Sequence, residues 1–219
     1  MASDSKIKLT YFPIIGLGEP MRFMFAYLGK DYEDCRVGGK EWLAMKPSTP
    51  WGKCPFLEIN GQTVTQNVAI CRYLAQEAGL RGKDTWEDLR IDEIVDVIGD
   101  FRSELVKYHY EADPQKKESV KGPLVKEIVP FYMKKLEALV KENNGYLANG
   151  KLSWADLYFG AVSDDFNYML CSELTDGYPN VKALKEKVHT IPQIKAWLDK
   201  RPAEDYSYRV EILAALKNK

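Results

Sequence analysis

The sequence predicts an α/β domain followed by an all-α domain, and three observations carry that reading. The first eighty or so residues hold short apolar runs with period-two alternation, separated by turn chemistry. The stretch at 79–85, GLRGKDT, loses periodicity and collects glycine and charge, as a linker does. Beyond it apolar residues recur only at steps of three and four. The expected domains are therefore 1–80 and 87–219.

The elements follow in order. Ile7–Phe12 (IKLTYF) alternates as a strand and runs into the turn PIIGLGEP, where Pro20 suits the first turn of a helix continued by Met21–Leu28. Asp31–Val37 reads as a second strand, ended by Gly38-Gly39, and Trp42–Pro50 as loop with a helical turn. Cys54-Pro55 precedes the strand Phe56–Ile59; Pro cannot donate to the ladder, so it marks an edge, a bulge or a cis turn. Asn60-Gly61 is a strong hairpin signal, which returns Thr63–Thr65 antiparallel. Gln66-Asn67 then opens a helix, with Asn67 placed to cap it. This β-α-β-β-α order with a Pro before the third strand is the thioredoxin-like arrangement, lacking its CxxC.

In the second half, Ile91, Ile94, Val95, Ile98, Phe101, Leu105 and Tyr108 mark one face of a long helix. Leu124–Val140 predicts another, kinked or broken at Pro130. Ser153 and Asp156 form a capping box ahead of a largely buried helix, and 181–188 and 194–200 read as shorter helices.

Bulk properties narrow the function. Lys plus Arg (31) nearly cancel Asp plus Glu (32), so charge gives no reason to expect nucleic acid or an anionic membrane as partner. No apolar run approaches the roughly 18 residues of a membrane span. The opening MASDSKIK carries no apolar signal region, so a cytoplasmic protein is expected. The four cysteines, Cys35, Cys54, Cys71 and Cys171, are scattered, which favours neither a disulfide scaffold nor a zinc site.

The hairpin with its flanking Cys54-Pro55 and Gln66-Asn67 resembles the second half of the glutathione-binding domain of glutathione transferases. The phrases YF (11–12), GEPMRFMFAY (18–27), KPSTPWGKCPFLEI (46–59) and QNVAICRYLA (66–75), with SWAD at 153–156, are similar to the sigma class and its invertebrate, insect-like branch. The resemblance implies a thioredoxin-like first domain that binds glutathione. A helical second domain would supply the pocket for an apolar electrophile and part of a homodimer interface. The tail beyond Pro202, ending EDYSYRVEILAALKNK, is longer than the family usually shows and reads as one more helix without a functional account.

Residue roles follow from the resemblance, each beside a plainer reading. Tyr11, otherwise a half-buried strand tyrosine, would donate a hydrogen bond to glutathione's sulfur. A thiol with pKa near 8.5 is mostly protonated at neutral pH. Lowering that value by about two units takes roughly 2.7 kcal/mol, and one hydrogen bond to a charged group supplies about 1.5–3 kcal/mol. Tyr11 is therefore sufficient in magnitude without invoking a metal. Cys54 would bond glutathione through its main chain and Gln66-Asn67 would hold the γ-glutamyl end. Lys46 and Lys53, by default solvated charges, would compensate the two carboxylates, and Trp42, otherwise a loop anchor, would offer its indole N–H. Asp100, otherwise solvent-facing, would reach the glutathione of the partner subunit. Phe12, Ile14, Phe101 and Tyr108 are the expected walls of the electrophile pocket.

Three departures qualify this. Asn67 stands where the family usually has Ser. Leu17 stands where vertebrate prostaglandin isomerases of the class have Arg. Gly99 interrupts Asp96 and Asp100, where some members gather acids for a divalent ion, so no metal is expected. Conjugation or reduction of lipid peroxidation products and hydroperoxides is the leading expectation. The alternatives are a glutathione-dependent isomerase and a non-catalytic, crystallin-like member.

Overall fold

A computed structural model of the chain describes residues 6–217. Residues 1–5, which include most of the polar opening, and the last two residues of the tail lie outside the described residues. Contacts divide the chain into two compact units, 6–78 with 193–217 and 79–192.

The first unit is built on a four-stranded sheet in the order β2-β1-β3-β4. β1 (Lys8–Tyr11) is interior, so Leu9, Thr10 and Tyr11 are all buried and the expected alternation does not reach solvent. The turn after it leads into α1 (Glu19–Leu28), whose residues from Glu19 to Phe25 are buried. Gly29 ends that helix at φ +62°, a left-handed conformation that glycine adopts without steric cost. β2 (Glu33–Arg36) pairs parallel to β1.

Gly38-Gly39 does not introduce a loop. Gly38 holds the extended N-cap position of α2 (Gly39–Met45), where the Glu41 carboxylate accepts its N–H at 2.9 Å, and a 3-10 turn at Lys46–Ser48 follows. Much of the expected loop at 42–50 is therefore helical, because the two glycines start a helix where they read as a break. β3 (Phe56–Ile59) and β4 (Gln62–Thr65) form the hairpin, with Asn60 and Gly61 both at positive φ. In α3 (Asn67–Glu77) the cap position falls to Gln66, and Asn67 is the first helical residue. The expected Asn67 cap is thus displaced by one residue.

In the second unit α4 (Thr85–His109) is capped by Asp84, which accepts from the N–H groups of Trp86 and Glu87. Its buried residues are Ile91, Ile94, Val95, Ile98, Phe101 and Leu105, the face read from the sequence. α5 (Pro114–Pro123) was not foreseen: it buries none of its residues, so no apolar period betrays it, and Asp113 and Pro114 supply its cap and first turn. A π-helical turn at Leu124–Ile128 leads to α6 (Val129–Glu142). Pro130 lies in the first turn of α6, where its missing N–H costs nothing, so the break falls ahead of it and not around it. α7 (Trp154–Leu170) is buried along most of its length, and α8 (Pro179–His189) follows.

The turn ahead of α7 converges on Asp156. Its Oδ2 accepts from Ser153 N at 2.7 Å and Ser153 Oγ at 2.9 Å, and its Oδ1 accepts from Leu147 N at 2.8 Å.

The chain then returns to the first unit. The Glu19 carboxylate is fully buried and accepts from Trp197 Nε1 on α9 (Pro192–Lys200) at 2.7 Å, from Arg201 Nη1 at 3.1 Å and from Arg22 Nη1 at 3.1 Å. By contact, 193–217 group with the first unit, and these bonds are among those that tie them to it. The last element is α10 (Ser207–Lys217). Among the described residues no helix is long and apolar enough to cross a membrane.

Candidate functional site

Tyr11 is the last residue of β1, where the central strand delivers its side chain to the turn 12–18. It is 6 % exposed, and its hydroxyl oxygen accepts from the Leu17 N–H at 3.1 Å. A backbone donor on a phenol oxygen makes the hydroxyl a stronger donor in turn. Gly16 and Gly18 leave room for the ring: a Cβ at Gly16 would lie 2.6 Å from Tyr11 Oη, and one at Gly18 would lie 2.6 Å from Tyr11 Cδ1. Gly18→Ala should therefore push the ring off its position while the chain still folds. Near-ultraviolet circular dichroism beside a thermal melt checks this, and an unchanged spectrum would show that the ring relaxes harmlessly.

Around Tyr11 the fold gathers several of the residues named above. Tyr11, Ile14 and Tyr208 form one buried cluster, with Phe12, Leu17, Cys54, Tyr206 and Ile212 packed against it. Val37, Trp42 and Phe56 form a second, and Phe12, Cys35, Met45, Cys54 and Ile212 pack on that one. Phe12 and Trp42 meet edge to face at 5.8 Å, and Phe12 stacks on Tyr208 at 4.2 Å. The Cys54–Pro55 peptide bond is cis. Burial pushes the Cys54 thiol up to about 12, and the nearby charge of Lys46 opposes that rise only in part. The Cys71 thiol, wholly buried, is also raised. Both remain protonated at neutral pH, so neither is a ready nucleophile.

Lys46 and Lys53 are exposed, on either side of Gly52, which is at positive φ. Gln66 is exposed with φ +72° and ψ +96°, a conformation a side chain adopts at a cost of about 1–3 kcal/mol. Asn67 is buried at the helix start behind it. The N-terminus of α3 therefore sets the positive end of the helix dipole beside a strained glutamine, a setting suited to a carboxylate.

The remaining three lie in the second unit. Asp100 is exposed on α4, and Tyr108 is half-buried with the Lys117 ammonium 5.1 Å from its ring centroid. Phe101 is fully buried, stacked on Tyr132 at 4.7 Å and edge-on to Phe166 at 5.4 Å.

Sequence reasoning read the tail as one more helix, as α10 is, but not as part of the surroundings of Tyr11. Tyr208 and Ile212 stand one helical turn apart, Tyr208 within the Tyr11 cluster and Ile212 packed on both, and the signal available was that i, i+4 spacing. It also missed Gly16 and Gly18 as clearance for the tyrosine, because close approach has no signature in one sequence.

A sheet with this order, a buried tyrosine closing its central strand and a following all-helical unit define a glutathione S-transferase architecture. The family model for the glutathione S-transferase N-terminal domain matches residues 7–76, and that for the C-terminal domain matches residues 99–201. The chain belongs to the glutathione S-transferase family, a family of transferase enzymes that use glutathione as a substrate. It is 44 % identical over 197 residues to glutathione S-transferase S1 of Drosophila melanogaster, covering 90 % of this chain and 79 % of that one. It is 37 % identical over 196 residues to hematopoietic prostaglandin D synthase of Gallus gallus, covering 89 % and 96 %. Among solved structures, prostaglandin synthase D of Nilaparvata lugens matches with a TM-score of 0.87 at 45 % identity, covering 90 % of this chain and 99 % of that one.

Proposed function

We propose that the chain is a sigma-like, cytosolic, homodimeric glutathione transferase that conjugates or reduces apolar electrophiles such as lipid hydroperoxides and unsaturated aldehydes. The observation that carries the reading is the buried Tyr11 hydroxyl, backed by the Leu17 N–H and cleared by two glycines. Tyr11 donates to the bound thiol and holds it as thiolate, which attacks the electrophile. Trp42, Lys46, Lys53, the Cys54 main chain, Gln66 and Asn67 bind the tripeptide, with Asp100 serving the site of the partner subunit. Phe12, Ile14 and Tyr108 face the electrophile, whereas Phe101, fully buried against Tyr132 and Phe166, is a core residue of the helical unit and not a wall of that pocket. The raised thiols of Cys54 and Cys71 support a tyrosine-assisted mechanism over one that uses either of those two sulfurs.

Calorimetric titration with glutathione, then turnover on a panel of electrophiles, tests the reading. Absence of binding would sink it, and activity lost in Cys54→Ala would replace it with a thiol mechanism. Asn67 sharpens the test. Asn67→Ser should change affinity by less than about 1 kcal/mol, whereas Asn67→Ala should lose about 1.5–3 kcal/mol, the worth of a hydrogen bond to a charge. Equal binding by the Ala variant would leave the backbone of α3 as the sole binder at that end.

The likeness to two prostaglandin D synthases supports a second reading, a glutathione-dependent isomerase. Leu17 argues against it, since it stands in place of the arginine expected there. Turnover of prostaglandin H without net consumption of glutathione would put the isomerase first.

A further inference from the structure

We infer that α10 is a tethered occupant of the glutathione-binding face, which free glutathione must displace; the inference rests on the transferase reading above. The helix lies beyond the last residue matched by the family models, so its role is not inherited with the fold.

Two sets of contacts hold it, and they differ in kind. The segment before the helix is fastened to the turn that follows Tyr11. Asp205 N donates to Pro13 O at 2.8 Å, Ile15 N donates to the Glu204 carboxylate at 2.8 Å, and Tyr206 Oη donates to the same carboxylate at 2.9 Å. The helix itself lies on α2. A Cβ at Gly39 would come within 2.2 Å of the Tyr208 carbonyl oxygen, so only glycine permits this approach. The Glu211 carboxylate accepts from Lys40 N at 3.1 Å, placing an anion on the first turn of α2.

The side chains of α10 then fill the space the proposed chemistry needs. Tyr208 belongs to the buried cluster of Tyr11, and Ile212 packs on both that cluster and the one containing Trp42. Cys54 lies between them in both sets. The tripeptide would run along the Cys54 main chain from Trp42 to the Tyr11 hydroxyl, so it and these two side chains compete for one volume.

The helix is also built to leave. Tyr208 is its one buried residue among those described, while Val210 and Leu213 remain 69 % and 50 % exposed. With 204–206 fastened, a released helix stays at an effective concentration in the millimolar range, so it rebinds when glutathione is scarce. Occupancy of 80–90 % by the helix would weaken apparent glutathione affinity about 5–10-fold.

The test compares the full-length chain with the full-length double variant Tyr208→Ala/Ile212→Asp, titrated with S-methylglutathione, which cannot react. The variant should bind about 5–10-fold more tightly. In the unmodified chain, the same compound should speed amide hydrogen exchange across residues 207–215, a measurement that does not depend on the variant folding. Equal or weaker binding by the folded variant, or exchange at 207–215 that slows or stays constant while the compound binds, would overturn the inference and leave the transferase reading standing. Failure of both proteins to bind would overturn the transferase reading, and the inference with it.

Discussion

Replacing Tyr11 by Phe should lower turnover about 10²-fold, the scale of losing one donor to a developing or stored negative charge. The ring keeps its place, because its neighbours Ile14, Phe12 and Tyr208 are apolar or aromatic and Gly16 and Gly18 still leave room for it. Only the hydroxyl goes, and with it the acceptor of the Leu17 N–H, at a stability cost of about 1 kcal/mol. Glutathione affinity should be nearly unchanged, while the pKa of the bound thiol should rise by about two units, the 2.7 kcal/mol discussed above. Ultraviolet titration of the thiolate in the binary complex reads that rise directly. A variant with full turnover and an unmoved thiol pKa would make Tyr11 a packing residue.

Asp156→Ala should cost about 3–5 kcal/mol of folding stability in the helical unit, measured by denaturant unfolding. One side chain accepts from two backbone N–H groups and a hydroxyl, at Leu147 and Ser153, and all three donors are buried. Alanine strands them in a site that water does not reach. The carboxyl also carries a pH signature. Burial pushes it up to about 6 while the three donors pull it down. A folded pKa above the unfolded value means that the proton binds the folded state more tightly. That contribution to stability is full below about 4 and fades as pH rises through about 6. Asp156→Asn should flatten the pH dependence of stability in that window. A variant with the same slope as the unmodified chain would show that other groups set it.

Much of this was legible in one sequence where local chemistry and burial agree. Asn60-Gly61 demands positive φ at two successive residues, and the structure places both there, pairing Ile59 with Gln62. Ser153 and Asp156 are a capping box in both readings, because a cap is a contact across three residues. The buried face of α4 emerges from its period alone. Where local signals are weak or double-edged, the sequence misleads. Gly38-Gly39 reads as a break yet begins α2, since glycine serves an N-cap as well as a turn. α5 has no apolar stripe to read.

The sequence by itself determined the α/β unit followed by helices, the position of Tyr11 at a strand end, and the hairpin that leads to Gln66 and Asn67. Each of these depends on residues close in the chain, whose backbone preferences and spacing act without a partner. Only the tertiary structure decided which distant residues share a volume. It raised the Cys54 thiol by burying it, cleared a space for the Tyr11 ring with Gly16 and Gly18, and tied Trp197 to Glu19 across 178 positions. It also laid Tyr208 on Phe12, in a tail that carries no recognisable motif. Burial and close approach are properties of packing, set by segments far apart in sequence, and no local pattern encodes them.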